Sequence, residues 1–264
     1  MYFTDRANQL MALGPLYILI IALFSGCAHQ PVSSTAAVSS TAAAPRTVEF
    51  EWMSISTWHQ KHDVNVTQAE KGDADILFIG DSITEGWTWG ENQQIFDATF
   101  GQYKTANFGI GGDQTQHVLW RLRNGESGNL NPKLTVLLIG TNNFGHSHHT
   151  PSQVAEGVTG IVNELKTAFP STKILLIGVY PFDHLATSES RVKVAKTNQL
   201  IAQLNDNQTI FYYDFGSLFI NERGNIPQSL MSDYLHPSND GYALLATKLG
   251  PIVDSFMQPT TRNP

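Results

Sequence analysis

The sequence is almost without cysteine. Cys27 stands alone among 264 residues, so no intramolecular disulfide can form and the fold must rest on its core. A basic excess is also missing: 16 Lys and Arg face 23 Asp and Glu, for a formal net charge of −7. No basic run or stripe is present, which excludes nucleic acid as an expected partner. Long apolar runs are missing too. Leu16–Phe24 spans nine apolar residues, well short of the roughly 20 that a bilayer span requires. Residues 28–45 contain neither a charged residue nor an aromatic. Such a stretch cannot bury enough surface to offset its ordering entropy, and reads as a flexible tether.

What is there begins with that short apolar run. It fits the core of an export signal, with small Ser25 and Gly26 leading to Cys27. Phe24-Ser25-Gly26-Cys27 resembles a bacterial lipobox, which implies lipidation of Cys27. The expected organisation is a lipoprotein-type signal over residues 1–26, a lipidated Cys27 with a tether over 27–48, a folded domain over 49–258 and a disordered tail over 259–264. The expected location is a bacterial membrane, facing the periplasm through the N-terminal lipid. Ala28 in place of Asp after the cysteine fits the outer membrane. An ordinary signal peptide, an uncleaved anchor and a buried apolar segment are the alternatives.

From about residue 49 short apolar runs alternate with helical patterns. Ala74–Ile79, Lys104–Phe108, Leu134–Ile139, Lys173–Val179 and Thr209–Tyr213 read as strands buried on both faces. Between and after them, Thr115–Arg123, Ser152–Ala168, Arg191–Leu204 and Asp240–Phe256 read as helices, the last capped by Ser238 or Asn239. Strand alternating with helix implies right-handed crossovers and a parallel sheet. The expected fold is α/β: a flavodoxin-like three-layer α/β/α sandwich on a five-stranded parallel sheet.

In such sheets ligands bind beyond the carboxyl ends of the strands. Gly80-Asp81-Ser82-Ile83-Thr84 follows the first strand, and Gly109-Ile110-Gly111-Gly112-Asp113 the second. Gly140-Thr141-Asn142-Asn143 follows the third, and Asp233-Tyr234-Leu235-His236 lies beyond the fifth. Together they offer a hydroxyl, a glycine amide, a side-chain amide and an acid–imidazole pair, the inventory of acyl transfer. Each piece alone has an ordinary reading. Ser82 or Asp81 can simply cap a helix, Asn142 can sit in a turn, and Asp233 and His236 can decorate a surface loop. The glycine block starts like a dinucleotide fingerprint, but Gln114 stands where the third glycine belongs. The set and its order at successive strand ends carry the signal.

Those blocks resemble the four sequence blocks of the SGNH/GDSL hydrolases. The stretch Asn107-Phe-Gly-Ile-Gly-Gly-Asp-Gln-Thr-Gln-His-Val-Leu-Trp-Arg-Leu-Arg-Asn-Gly-Glu126, followed by Gly140-Thr-Asn-Asn143, is similar to platelet-activating-factor acetylhydrolase catalytic-subunit-like bacterial esterases. The likeness spans about residues 74–250. Glu85–Gly90 is more similar to bacterial members linked to O-acetylated carbohydrates. The resemblance implies Ser82 as nucleophile, with Asp233 and His236 as its triad partners. It implies an oxyanion hole from the backbone of Ser82 and Gly112 with the Asn142 amide. It also implies an acyl site walled by Ile83, Thr141 and Leu235, two of them bulky aliphatics, leaving room for an acetyl group. The expected function is hydrolysis of short acyl esters, such as O-acetylated carbohydrate or a similar small ester, with no cofactor. A lipid-directed acylhydrolase or thioesterase, and a non-catalytic tethered binding protein, are the rival readings. Trp87 and Trp89 are candidates for stacking on a sugar ring or for packing under the loop. His146, His148 and His149 are read as a solvated rim, their spacing being poor for a zinc site.

Overall fold

The computed structural model describes residues 42–258. The expected signal segment, Cys27, most of the tether and the tail lie outside them. Within them are five strands: β1 (Ile76–Gly80), β2 (Thr105–Gly109), β3 (Leu134–Leu138), β4 (Lys173–Ile177) and β5 (Ile210–Tyr213). They form one sheet in the order β2-β1-β3-β4-β5, with every neighbouring pair parallel. This is the doubly wound flavodoxin-like order, whose switch point falls between β1 and β3.

The helices are α1 (Ile55–Lys71), α2 (Ser82–Glu85), α3 (Asn92–Phe100), α4 (Thr115–Arg121), α5 (Thr141–Ser147), α6 (Pro151–Ala168), α7 (Glu189–Ile201) and α8 (Asn239–Met257). The period-two pleat divides the core between two faces. Leu77 and Ile79 of β1 join Val118 and Leu119 of α4 and Val158, Ile161 and Leu165 of α6. Ile76 and Phe78 turn the other way, toward Phe96 and Phe100 of α3 and Tyr242, Leu245 and Leu249 of α8. Fully burying one such side chain stabilises by roughly 1.5–3 kcal/mol, so both helical layers are held to the sheet by their apolar stripes.

Local signals set the helix ends. Thr150 and Gln153 form a reciprocal capping box with Pro151 in the first turn of α6, which satisfies amides that the helix itself leaves unpaired. Of the two expected caps for α8, Ser238 is the one used, accepting from Gly241 N.

The expected domain start is corrected. Ala43 packs on the core, Ala44 N donates to Gln116 O at 3.2 Å, and Arg46 is 2% exposed. The last residues assigned to the tether are therefore part of the packed domain, because Arg46 finds buried acceptors there. Phe50 and Met53 then form an antiparallel bridge leading into α1.

Candidate catalytic site

Ser82 opens α2 directly after β1. The turn is tight: a Cβ on Gly80 would lie 2.2 Å from both Leu138 O and Thr84 Oγ1. Asp81 caps the helix, its Oδ1 accepting from Ile83 N at 3.0 Å. Its Oδ2 is buried without a hydrogen-bond partner. Burial, reinforced by the charge of Asp113, pushes the Asp81 carboxyl up to about 7.

The Asp233-Tyr234-Leu235-His236 segment crosses to this turn from ahead of α8. His236 Nε2 lies 2.8 Å from Ser82 Oγ, and His236 Nδ1 lies 2.7 Å from Asp233 Oδ2. An ionised carboxylate only accepts, so Nδ1 carries the hydrogen and Nε2 is left to accept from the serine. Asp233 Oδ1 takes the backbone N–H groups of Leu235 at 3.0 Å and His236 at 2.8 Å. Burial opposes the charge on Asp233, but the bonds from His236 and the backbone outweigh it and hold the carboxyl below its ordinary value.

Between the acid and the imidazole, Tyr234 has a left-handed backbone, φ +60, and Asp183 on the facing loop has φ +68. Such conformations cost non-glycine residues on the order of 1–3 kcal/mol unless their surroundings hold them. Here Asp183 N donates to Tyr234 O at 3.0 Å, and the Tyr234 ring stacks on His184 with centroids 4.7 Å apart.

Gly112 lies at the end of the loop after β2, at φ +73, where a Cβ would meet the Trp52 ring at 2.5 Å. Only glycine fits that conformation and that approach. Asn142 Nδ2 donates to Asp113 O at 3.0 Å. An amide has two N–H donors, so this bond fixes the group and leaves its second hydrogen available. The neighbouring Asn143 is buried and joins α5 to α4, bonding Thr115 N and Oγ1 at 3.0 Å each.

Beneath the glycine loop lies a buried charge cluster. Arg121 is 0% exposed; it donates to Asp113 Oδ2 at 2.8 Å, to Glu126 Oε2, and to Gly80 O at 3.3 Å. Trp58 Nε1 donates to Asp113 Oδ1 at 2.6 Å, and Arg46 Nη2 stands 3.5 Å from the same oxygen. His62 Nδ1 and Asn65 Nδ2 reach Glu126 Oε1 at 3.0 and 3.1 Å. Two guanidinium groups thus face two carboxylates in the interior, an arrangement in which removing one partner costs about 3–5 kcal/mol.

Ser82, His236, Gly112 and Asn142 line one cavity of about 600 Å³, with Thr141 and Leu235 on its wall. Ile83 is not among the lining residues: it is 2% exposed and packs in the core with Trp87. Its expected place on the acyl wall is corrected, because in the first turn of α2 it faces inward, away from Ser82. Trp87 likewise packs inside, 4.7 Å from the Tyr242 ring. Trp89 is 44% exposed and on the cavity wall, 5.9 Å from the His236 ring.

Several cavity residues were given no site role by the sequence reading, among them Trp52, Thr57, Lys61, Glu85 and Phe182. Of the loop histidines, His146 lines the cavity against Phe50 at 4.6 Å, and burial lowers its pKa. His149 Nδ1 pairs with Asn143 Nδ2 at 3.0 Å, and burial lowers its pKa too. His148 ends α5 with φ 51. Each takes a separate course, and no group of three potential metal ligands occurs among the described residues.

A flavodoxin-like sheet with such a site at its switch point defines a hydrolase. The sequence model of the GDSL-like Lipase/Acylhydrolase family matches residues 78–244, and the chain belongs to that family. It is 33% identical over 223 residues to the platelet-activating factor acetylhydrolase IB subunit alpha2 of Homo sapiens, covering 84% of this chain and 94% of that one. Among solved structures, a GDSL-like lipase from Bacteroides thetaiotaomicron aligns with a TM-score of 0.62 at 20% identity, over 75% of this chain and 97% of that one. A carbohydrate acetylesterase from Sinorhizobium meliloti aligns with a TM-score of 0.56 at 18% identity, over 70% and 100%.

Proposed function

We propose that this hydrolase is a serine esterase that cleaves short acyl esters, acetyl above all, from carbohydrate or a similar small alcohol. The observation that carries the reading is the unbroken line from Asp233 Oδ2 to His236 Nδ1 at 2.7 Å and from His236 Nε2 to Ser82 Oγ at 2.8 Å, opening on the cavity. Ser82 Oγ attacks the ester carbonyl while His236 Nε2 takes its proton, and Asp233 stabilises the imidazolium that forms. The N–H groups of Ser82 and Gly112 and the free amide hydrogen of Asn142 hold the oxyanion, each typically worth about 3 kcal/mol. His236 returns the proton to the leaving alcohol. Water then attacks the acyl-enzyme by the same route, releasing the acid and restoring Ser82.

On the acyl side, Thr141 and Leu235 stand beside Asn142 and His236 and limit the room next to the reacting carbon. The acetylhydrolase relatives act on an acetyl group by name. On the alcohol side, the exposed residues Trp52 and Trp89 line the wall, Trp52 with its ring stacked on Phe50, while Thr57, Lys61 and Glu85 offer polar atoms. Flat faces with adjacent hydrogen-bonding groups suit a sugar ring better than an alkyl chain. The test is kcat/KM for p-nitrophenyl acetate, butyrate and octanoate, followed by O-acetylated sugars against acetylated phospholipids. An optimum at octanoate or on phospholipid would replace this reading with that of a lipid-directed acylhydrolase. No hydrolysis of any ester would favour a tethered binding protein. We further propose that Cys27 carries a lipid that holds the enzyme to a bacterial membrane; this rests on Ser25-Gly26-Cys27 and the uncharged stretch after it.

A further inference from the structure

The peptide unit joining Gly111 to Gly112 contains the Gly112 N–H, and its other polar end is the Gly111 carbonyl. That carbonyl accepts from Arg46 Nη2 at 2.6 Å. The preceding N–H, of Gly111 itself, donates to Glu85 Oε2 at 2.7 Å. Two oppositely charged side chains therefore grip consecutive peptide units. One comes from the segment before α1 and the other from α2.

A trans peptide is planar, with its C=O and N–H pointing in opposite directions. Fixing the Gly111 carbonyl on Arg46 thus turns the Gly112 N–H away from Arg46. Two adjacent glycines have no side chains to enforce such an orientation, and Gly112 is at φ +73 in a region that glycine enters and leaves freely. The restraint has to come from outside the loop. Arg46 is well placed to give it: it is 2% exposed, stands 3.5 Å from Asp113, and lies beneath the Phe50 and Trp52 rings at 5.2 and 5.8 Å. Its Nε and Nη1 are buried without hydrogen-bond partners, so its strongest directed contact is the one to Gly111. A charged donor on the carbonyl also polarises the peptide and strengthens the N–H at its far end. Glu85 is held in turn by Lys61.

We propose that Arg46 and Glu85 are positioning residues that lock the Gly111–Gly112 peptide with its N–H toward the oxyanion, making the short segment before α1 a working part of the active site. This rests on the esterase reading above. The proposed experiment uses Arg46→Gln, Arg46→Lys and Glu85→Ala in the full chain. It measures kcat and KM on p-nitrophenyl acetate, together with the Kd of methylboronic acid, which forms a tetrahedral anion on an active serine. In Arg46→Gln, kcat is expected to fall about 100-fold, the scale of one oxyanion donor, with KM unchanged within about twofold. The boronate Kd should rise in parallel, and Arg46→Lys should recover part of both. Glu85→Ala should shift the same two quantities in the same direction. It decides the matter alone if Arg46→Gln does not fold. A folded Arg46→Gln or Glu85→Ala protein with wild-type kcat and boronate affinity overturns the proposal, as does an effect confined to KM. Ser82→Ala is run alongside: if it stays active the esterase reading itself fails. If activity depends on Ser82 and survives both substitutions, only the present inference fails.

Discussion

His236 Nε2 lies 2.8 Å from Ser82 Oγ across 154 positions of sequence. The contact joins the end of β1 to the loop before α8, so it exists only in the folded sheet. Ser82→Ala and His236→Ala are each expected to lower kcat by roughly 10⁴-fold or more while leaving the far-UV spectrum and melting temperature near wild type. Turnover on p-nitrophenyl acetate is the measurement. A folded Ser82→Ala enzyme that keeps most of its activity would refute the mechanism.

Asp233→Asn preserves shape and removes charge. An amide can present its N–H₂ to His236 Nδ1 and so favour the wrong tautomer. The expected loss is about 10⁴-fold in kcat, no larger than that of Ser82→Ala. Steady-state kinetics of the two variants side by side check the order.

The buried Asp81 carboxyl ties stability to pH. It is raised from 3.8 to about 7, so between those values the folded chain keeps a proton that the unfolded chain has lost. Its contribution is full below the lower value and declines as pH rises through the upper one. Asp81→Asn keeps an acceptor for Ile83 N and removes the titration. Relative to wild type, the variant should therefore gain up to about 1.4 kcal/mol per pH unit across that window. Urea unfolding at a series of pH values tests this, and parallel stability curves would overturn it.

Ile83 and Leu235 should now behave differently. Ile83→Ala empties a core site and is expected to cost about 2–5 kcal/mol of stability, with no change in the ratio of acetate to butyrate turnover. Leu235→Ala opens the cavity wall and should shift preference toward butyrate by up to about 3 kcal/mol per methylene accommodated. The backbone N–H of residue 235 that holds Asp233 Oδ1 at 3.0 Å is kept in the variant, so kcat should fall only as far as lost packing loosens the loop around His236. Chain-length profiles of both variants decide between the two residues.

Mass spectrometry of the mature N-terminus tests the membrane anchor. The expected product begins at a lipid-modified Cys27. A start at another residue, or an unmodified Cys27, would refute it.

The central strands β1, β3 and β4 were legible because they are buried on both faces and read as apolar runs, whereas the edge strands β2 and β5 are only half-buried and carry a weaker signal. The four strand-end blocks were legible because glycine, hydroxyl and amide residues punctuate those runs. Helix α1 was not. Its buried face is Trp58, His62, Asn65 and Ala69, at helical spacing but with two polar members, so no apolar period marks it. His62 and Asn65 are buried to meet Glu126, a partner 64 and 61 positions away. Arg46 and Glu85 were hidden for the same reason: only the fold shows that both meet at Gly111. The resemblance put Ile83 on the cavity wall beside Ser82, but neighbours in a helical turn point about 100° apart.

The backbones of Asp183 and Tyr234 have a consequence for anyone redesigning this enzyme. An Asp-x-x-His tetrapeptide looks like a portable cassette, short enough to graft onto any parallel sheet. In this chain it is not portable. Tyr234 holds its unfavourable backbone against a second unfavourable backbone at Asp183, and Ile226 N closes the set by donating to His184 O at 3.0 Å. The unit that would survive transplantation is the pair of loops. A donor segment taken without residues 183–184 would carry the right letters and relax away from the serine.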